Sequence, residues 1–169
     1  MKKINLYYTT MSSPVGTVHL GKTKRGLKFI SFSRAEWLKQ LASLKKTNSV
    51  ILHHDVGKFK SLKVQLKRYF SGKKVKFETH FDLADSTDFQ KRVWSKMSKI
   101  PFGQTRSYGW LAQKVGIKSP RAIGQACGSN PLPIVIPCHR VIAYNGKLGG
   151  YGGGLAKKAK LLKLEGALK

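Results

Sequence analysis

Residues 134–140 read Ile-Val-Ile-Pro-Cys-His-Arg, an apolar run that stops at Pro137 and presents a thiol beside an imidazole and a guanidinium. Cysteine attacks as the thiolate, and a free thiol with a pKa of about 8.5 becomes reactive where cations or a base favour ionisation. Cys138, flanked by His139 and Arg140, therefore fits nucleophilic chemistry. A small hydrophobe closing a strand fits the same heptapeptide. A second clue is an acid. Residues 89–169 hold 15 lysines and arginines and a single carboxylate, Glu165. On a terminal helix expected over about residues 154–168, Glu165 shares a face with Leu161, Leu162 and Leu168. Burying that carboxylate unpaired would be costly, so a partner inside the fold, an imidazole close to a thiol, is one solution. A carboxylate at the edge of the stripe reaching solvent or a lysine is the other.

Composition narrows the partners. The 169 residues, 41% hydrophobic, suffice for one domain or two small ones. Lysine and arginine number 33 against 7 acids, a formal charge of +26 that predicts attraction to a polyanion, nucleic acid first and an anionic membrane surface second. Two cysteines, Cys127 and Cys138, are too few for a disulfide framework and fit a reducing compartment. The opening Met-Lys-Lys-Ile-Asn-Leu lacks a signal-peptide core and no long apolar run occurs, so the expected location is cytoplasmic, with no membrane contact. The histidines and cysteines show no ligand spacing, and no metal is expected.

The elements that must position the thiol divide near residues 80–88, giving an expected support domain over 1–85 and a second domain over 86–169. The overall class is α+β. In the first half, Ile4–Thr10, Thr17–Lys22 and Leu27–Phe32 predict a small antiparallel sheet, followed by helices over about 34–44 and 56–70. No chemistry is visible there, and its lysines read as a solvated basic face. The second half predicts a helix capped by Asp88 and running to about Lys99, then two short helices. The first spans Ser107–Val115 and ends at Gly116; the second is opened by Ser119 and Pro120 and runs Arg121–Cys127. This is a helix-turn-helix pattern in a mostly helical, winged-helix-like domain. Ala122, Gly124, Ala126 and Gly128 leave the second helix thin, which fits close approach to a DNA groove and equally fits packing against the core. Residues 131–137 predict a stiff extended segment leading to Cys138. Around Tyr151, Gly149–Gly154 fits a loop that lets backbone approach a flat ligand, or a flexible linker.

Pro137-Cys138-His139-Arg140-Val141, with Asn130-Pro131 upstream, Gly-Tyr-Gly-Gly-Gly at 150–154 and Leu-Glu-Gly at 164–166, resembles the O6-alkylguanine-DNA alkyltransferases. The resemblance is specific over about residues 88–168. It implies a variable N-terminal domain and a C-terminal domain that binds double-stranded DNA containing alkylated guanine from the minor groove. It also implies irreversible, single-turnover transfer of the alkyl group from O6-alkylguanine, and by extension O4-alkylthymine, to Cys138 after nucleotide flipping. By this resemblance His139 draws off the thiol proton through a water, Glu165 orients the imidazole, Asn130 braces the turn and Tyr108 donates to the leaving guanine. Arg121 enters the base stack, with Ser119, Pro120 and Ala122 beside it on the DNA-binding helix. Val141, Tyr151, Gly152 and Gly153 surround the base and its alkyl group. No cofactor is required, and the resemblance implies a monomer, with cooperative binding on DNA open and nucleoid association if the source is prokaryotic. Gly152 stands where relatives often carry serine, Gly128 where some carry arginine, and the absence of cysteine from the N-terminal half removes the ligands of the zinc site that some members hold.

Three other readings bear on Cys138. An alkyltransferase-like lesion sensor flips the base without accepting the group because tryptophan replaces the cysteine. A Cys-His hydrolase needs an oxyanion hole that the sequence does not display. In a general basic nucleic-acid binder Cys138 would be inert.

Overall fold

In the computed structural model, which describes residues Met1–Lys169, the chain divides into two units, Met1–Leu83 and Ala84–Lys169. Alternating side chains build the first. Strand β1 (Lys2–Ser13) turns through Gly16, at a φ of 105°, into antiparallel β2 (Gly16–Thr23), and β2 turns into antiparallel β3 (Gly26–Ser31). Ile4 and Leu6 of β1 and Phe29 of β3 pack with Trp37, Leu41 and Leu44 of helix α1 (Arg34–Lys45). Full burial of such a side chain stabilises the fold by about 1.5–3 kcal/mol. Gly21 is constrained by this packing, because a Cβ there would stand 2.9 Å from the Trp37 ring. Helix α2 (Lys60–Phe70) buries Leu62, Leu66 and Tyr69, and its Lys63 reaches Thr9 of β1 at 3.0 Å.

The expected antiparallel sheet is mixed, because a fourth strand joins it. Residues Asn48–His54 form β4, which pairs parallel with β1 so that the order is β3-β2-β1-β4. As an edge strand with Ile51 and Leu52 exposed, β4 lacks the alternation that reveals a half-buried strand in a sequence. The other edge, β3, is closed by the returning chain: Leu27 N–H donates to the His80 carbonyl at 2.7 Å and Asp82 N–H to that of Leu27 at 2.8 Å. The buried Asp82 carboxylate accepts from Thr23 at 2.5 Å and pairs with Arg25 at 3.1 Å and Lys28 at 3.7 Å.

The second unit is mostly helical. Helix α3 (Asp88–Met97) is capped by Thr87, whose hydroxyl and backbone exchange hydrogen bonds with Gln90, so Asp88 is its first residue and not its cap. A two-residue strand β5 (Arg106–Ser107) leads into α4 (Tyr108–Val115), which ends at Gly116 in the left-handed conformation, φ 82°. Ser119 caps α5 (Pro120–Gly128), accepting from Ala122 N–H at 3.2 Å, with Pro120 at the first helical position. Val93, Trp94 and Met97 of α3 are buried, as are Leu111 of α4 and Ile123 of α5, and the Trp94 indole donates to the Ala126 carbonyl at 2.8 Å. Strand β6 (Val141–Ile142) pairs parallel with β5. The last helix, α6 (Leu155–Leu164), is shorter than expected: Gly166 at φ 73° turns the chain, and Ala167 N–H closes on the Leu162 carbonyl at 2.9 Å. Glu165 consequently sits at the helix C-cap instead of within the helix.

Candidate active site

Residues 131–137 form a tight turn, which corrects the expected extended run into Cys138. Ile136 N–H donates to the Leu132 carbonyl at 2.8 Å, and Ile134 adopts a φ of 74°. A β-branched residue in that region is strained by about 1–3 kcal/mol, and burial of the Ile134 side chain in the core opposes release. Asn130 ties the turn together: its amide nitrogen donates to the Ile136 carbonyl at 2.8 Å and its oxygen accepts from Leu132 N–H at 3.0 Å. The turn delivers Cys138 as the first residue of a single 3-10 turn, Cys138–Arg140.

Cys138 is 7% exposed and forms part of the wall of a cavity of about 490 Å³, a size suited to one small organic group. Tyr108 of α4 lines the same cavity, as do Pro120, Arg121, Gly124 and Gly128 of α5 and Gly150, Tyr151 and Gly152 of the glycine loop. The thin side chains of α5 divide into two groups. A Cβ at Gly124 or Gly128 would meet nothing within 4 Å, so packing does not demand these glycines, whereas Ala126 is buried in the core.

Behind the thiol lies a polar chain out of reach of solvent. His139 Nε2 stands 2.6 Å from Glu165 Oε1, and both side chains are fully buried. Glu165 also accepts from Arg140 through Nε and Nη2, each at 2.9 Å, and from Gly103 N–H at 3.1 Å. Arg140 is fixed in turn by donating from Nη1 to the Ile100 carbonyl at 2.7 Å. Burial works against the Glu165 charge, yet the hydrogen bonds from His139 and Arg140 bring its pKa down to about 2. An ionised Glu165 accepts every one of these bonds, so His139 Nε2 carries a hydrogen and Nδ1 is the nitrogen that can take a proton. Burial, aided by the Arg140 and Lys158 charges, lowers the His139 pKa against the pull of Glu165, which keeps the ring neutral at pH 7.

The Cys138 thiol is pushed up by burial and drawn down by hydrogen bonds from Asn130 and Tyr151 and by the Lys158 charge. Lys158 is the functional residue that the sequence did not disclose. It is wholly buried in α6, and its ammonium donates to the carbonyls of Val141 at 2.6 Å, Leu148 at 2.5 Å and Gly150 at 3.1 Å. Its three N–H groups thus knot β6 to the glycine loop, and burial lowers its pKa to about 8. The available signal was Lys158's place beside the apolar stripe of α6, which is indistinguishable in sequence from a solvated lysine. Tyr108 donates to the Gly150 carbonyl at 3.2 Å, its ring lies where a Cβ on Gly149 would meet it at 3.0 Å, and burial together with the two thiols raises its pKa to about 12. It stays a donor at neutral pH. Cys127 is also raised to about 12, chiefly by burial, and contacts the Met97 sulfur at 3.7 Å.

The remaining candidates divide by position. Arg121 is exposed at the start of α5, with Ser119 and Pro120 forming the helix cap and Ala122 half-buried. The Val141 side chain is in the core and its carbonyl carries Lys158. Gly153 does not line the cavity, while Gly152 does.

A helix-turn-helix unit whose second helix borders a cavity, with a thiol in the cavity wall and a buried His-Glu pair next to it in the chain, is the arrangement of a DNA-binding protein with a candidate nucleophile. The family model described as the 6-O-methylguanine DNA methyltransferase DNA-binding domain matches residues 88–167, and that of the family's ribonuclease-like domain matches residues 6–83. A methylated-DNA–protein-cysteine methyltransferase of Methanosarcina acetivorans is 39% identical over 96% of this chain and 99% of its own length. One from Mycobacterium bovis is 40% identical over 95% and 92%. Among solved structures, the Mycobacterium tuberculosis O6-methylguanine methyltransferase superposes with a TM-score of 0.78 at 36% identity, covering 97% of this chain and 94% of that one. The M. tuberculosis protein in complex with DNA gives a TM-score of 0.76 at 36% identity, covering 96% and 93%. The chain belongs to the 6-O-methylguanine DNA methyltransferase family.

Proposed function

We propose that this chain repairs double-stranded DNA by direct reversal, moving the alkyl group of O6-alkylguanine onto Cys138 once and irreversibly. The observation that carries the reading is Cys138 in the wall of the cavity bordered by α5, backed by the 2.6 Å contact between His139 and Glu165. In a duplex the O6 atom is hidden, so the base must leave the stack, at a cost of a few kcal/mol that is smallest for a weakly paired, damaged base. Arg121, exposed at the cavity rim, fills the gap and offsets part of that cost.

The chemistry then follows from the proton positions. His139 Nδ1 takes the Cys138 proton through a water, and the ionised Glu165, held by Arg140, stabilises the imidazolium. The thiolate sulfur attacks the alkyl carbon in line, an S–C bond forms, and the C–O6 bond breaks with its electron pair passing to guanine. Tyr108, protonated throughout the neutral range, donates to the departing base. Asn130 fixes the strained turn that aims the sulfur, and the Lys158 knot, through Gly150, steadies the loop that brings Tyr151 and Gly152 to the alkyl group. The thioether has no easy reversal, so each molecule acts once, as a monomer in the cytoplasm, without a cofactor. The lesion-sensor alternative fails on Cys138 itself, which stands where the sensor needs a residue unable to accept the group.

The test is single-turnover repair of a duplex bearing one O6-methylguanine. The reading requires loss of one lesion per protein molecule and no reaction in Cys138→Ser; a variant that still cleared the lesion would overturn it.

A further inference from the structure

The first unit concentrates positive charge in one stretch of the chain. Residues 57–77 contain eight cations (Lys58, Lys60, Lys63, Lys67, Arg68, Lys73, Lys74 and Lys76) and no acid. Helix α2 uses only some of them: Lys63 donates to Thr9 of β1, and Lys67 and Arg68 in its last turn favour the helix dipole. Lys60 occupies its first turn, where a positive charge opposes the helix dipole, and Lys63 and Lys67 repel each other at i,i+4. Lys60, Lys67, Arg68, Lys73, Lys74 and Lys76 are all exposed.

The adjoining sheet face continues the surface. Tyr7 of β1 lies opposite His53 of β4 and stacks on it at 5.1 Å, Lys58 stands 4.5 Å over the Tyr7 ring, and His53 bonds Asn5 at 2.9 Å. These contacts hold Lys58 at the edge of the sheet while its charge stays accessible. A dense set of cations on one helix, the turn before it and the segment after it, with acids only at the borders, Asp55 and Glu78, matches an array of phosphates. Single-sign charge favours solubility but costs stability through self-repulsion, and phosphates seated on this surface would offset that cost.

We propose that α2, the Lys73–Lys76 segment and Lys58 form a second DNA-binding surface that contacts the phosphate backbone of duplex DNA independently of base sequence. It shares no residue with the cavity and takes no part in alkyl transfer.

The experiment uses the full-length protein with Lys60→Gln, Lys67→Gln, Arg68→Gln and Lys74→Gln combined. A control combines Lys2→Gln, Lys24→Gln, Lys39→Gln and Lys46→Gln, exposed residues outside this surface that change the net charge equally. Binding to an undamaged duplex is measured as a function of salt. Each lost phosphate contact flattens the log–log slope by about 0.9, so the first variant should lose about 2–4 in slope and the control less than about 1. Reaction of both with free O6-benzylguanine should match the parent protein. Equal slopes for the two variants, or no change in either, would overturn the proposal. So would selective loss of binding to phosphatidylserine vesicles with DNA binding intact.

Discussion

Each unit buries one carboxylate inside a cage of donors, and the two cages have different uses. Asp82 is surrounded by Thr23, Arg25 and Lys28, with no imidazole among them, and it fastens the returning chain to β3. Glu165 is surrounded by Arg140, Gly103 N–H and His139, and the imidazole can change its proton and sits next in the chain to a thiol. Burial and pairing are common to both. The difference is one imidazole partner. In the proposed mechanism it makes the second cage a relay, with Arg140 carrying the ion pair with Glu165 and His139 left to respond to Cys138.

The comparison breaks most sharply under matched amide substitutions. Glu165→Gln should slow alkyl transfer by about a hundredfold at neutral pH, the scale of a compromised general base. With Glu165 neutral the imidazolium is less stable, so the apparent pKa for Cys138 reactivity should rise. Asp82→Asn should instead cost stability, about 3 kcal/mol in denaturant unfolding, with the transfer rate unchanged. If Asp82→Asn slowed transfer as much as Glu165→Gln, the distinction between the two cages would collapse. The acid limb offers a second reading of the same pair. Glu165 is held near 2, below its ordinary value of about 4.3, so its contribution to stability is complete above about 4.3 and is lost as pH falls toward about 2. Unfolding free energy followed over that window should fall less in Glu165→Gln than in the parent protein.

A smaller effect concerns access to the relay. Arg121→Ala should slow transfer from a duplex by about tenfold or more while leaving reaction with free O6-benzylguanine unaltered, because only the duplex demands a flipped base. Equal slowing of both substrates would assign Arg121 to the chemistry. The smallest effect is expected at Lys158. Lys158→Met, which keeps the length and removes the donors, should slow transfer by about threefold to tenfold through a loosened glycine loop, visible as faster amide exchange over residues 148–153. Unchanged exchange there would remove the loop-holding role.

Much of the site is legible in the chain alone. Cys138, His139 and Glu165 stand out because a thiol at a proline stop and a lone acid in a basic half are chemically conspicuous, Asn130 enters only through the family resemblance, and the helix pair carries ordinary capping signals at Ser119, Pro120 and Gly116. The reach of three Lys158 donors is hidden because a buried lysine reads like any other until its acceptors are known. The turn at Ile134 escapes for the opposite reason: an Ile-Val-Ile run has strand propensity, and only the Asn130 bracket and the surrounding core hold it in a left-handed conformation. Strand β4 escapes because its edge position leaves apolar residues exposed.

The central claim is that one sulfur, readied by the relay, takes the alkyl group from guanine. Peptide mass spectrometry after mixing the protein with a duplex bearing a single O6-methylguanine tests it most directly. The account predicts one methyl group per molecule, on the peptide containing Cys138, with guanine restored in the DNA. A methyl group on Cys127, or an unmodified protein that nonetheless holds the lesion, would contradict it.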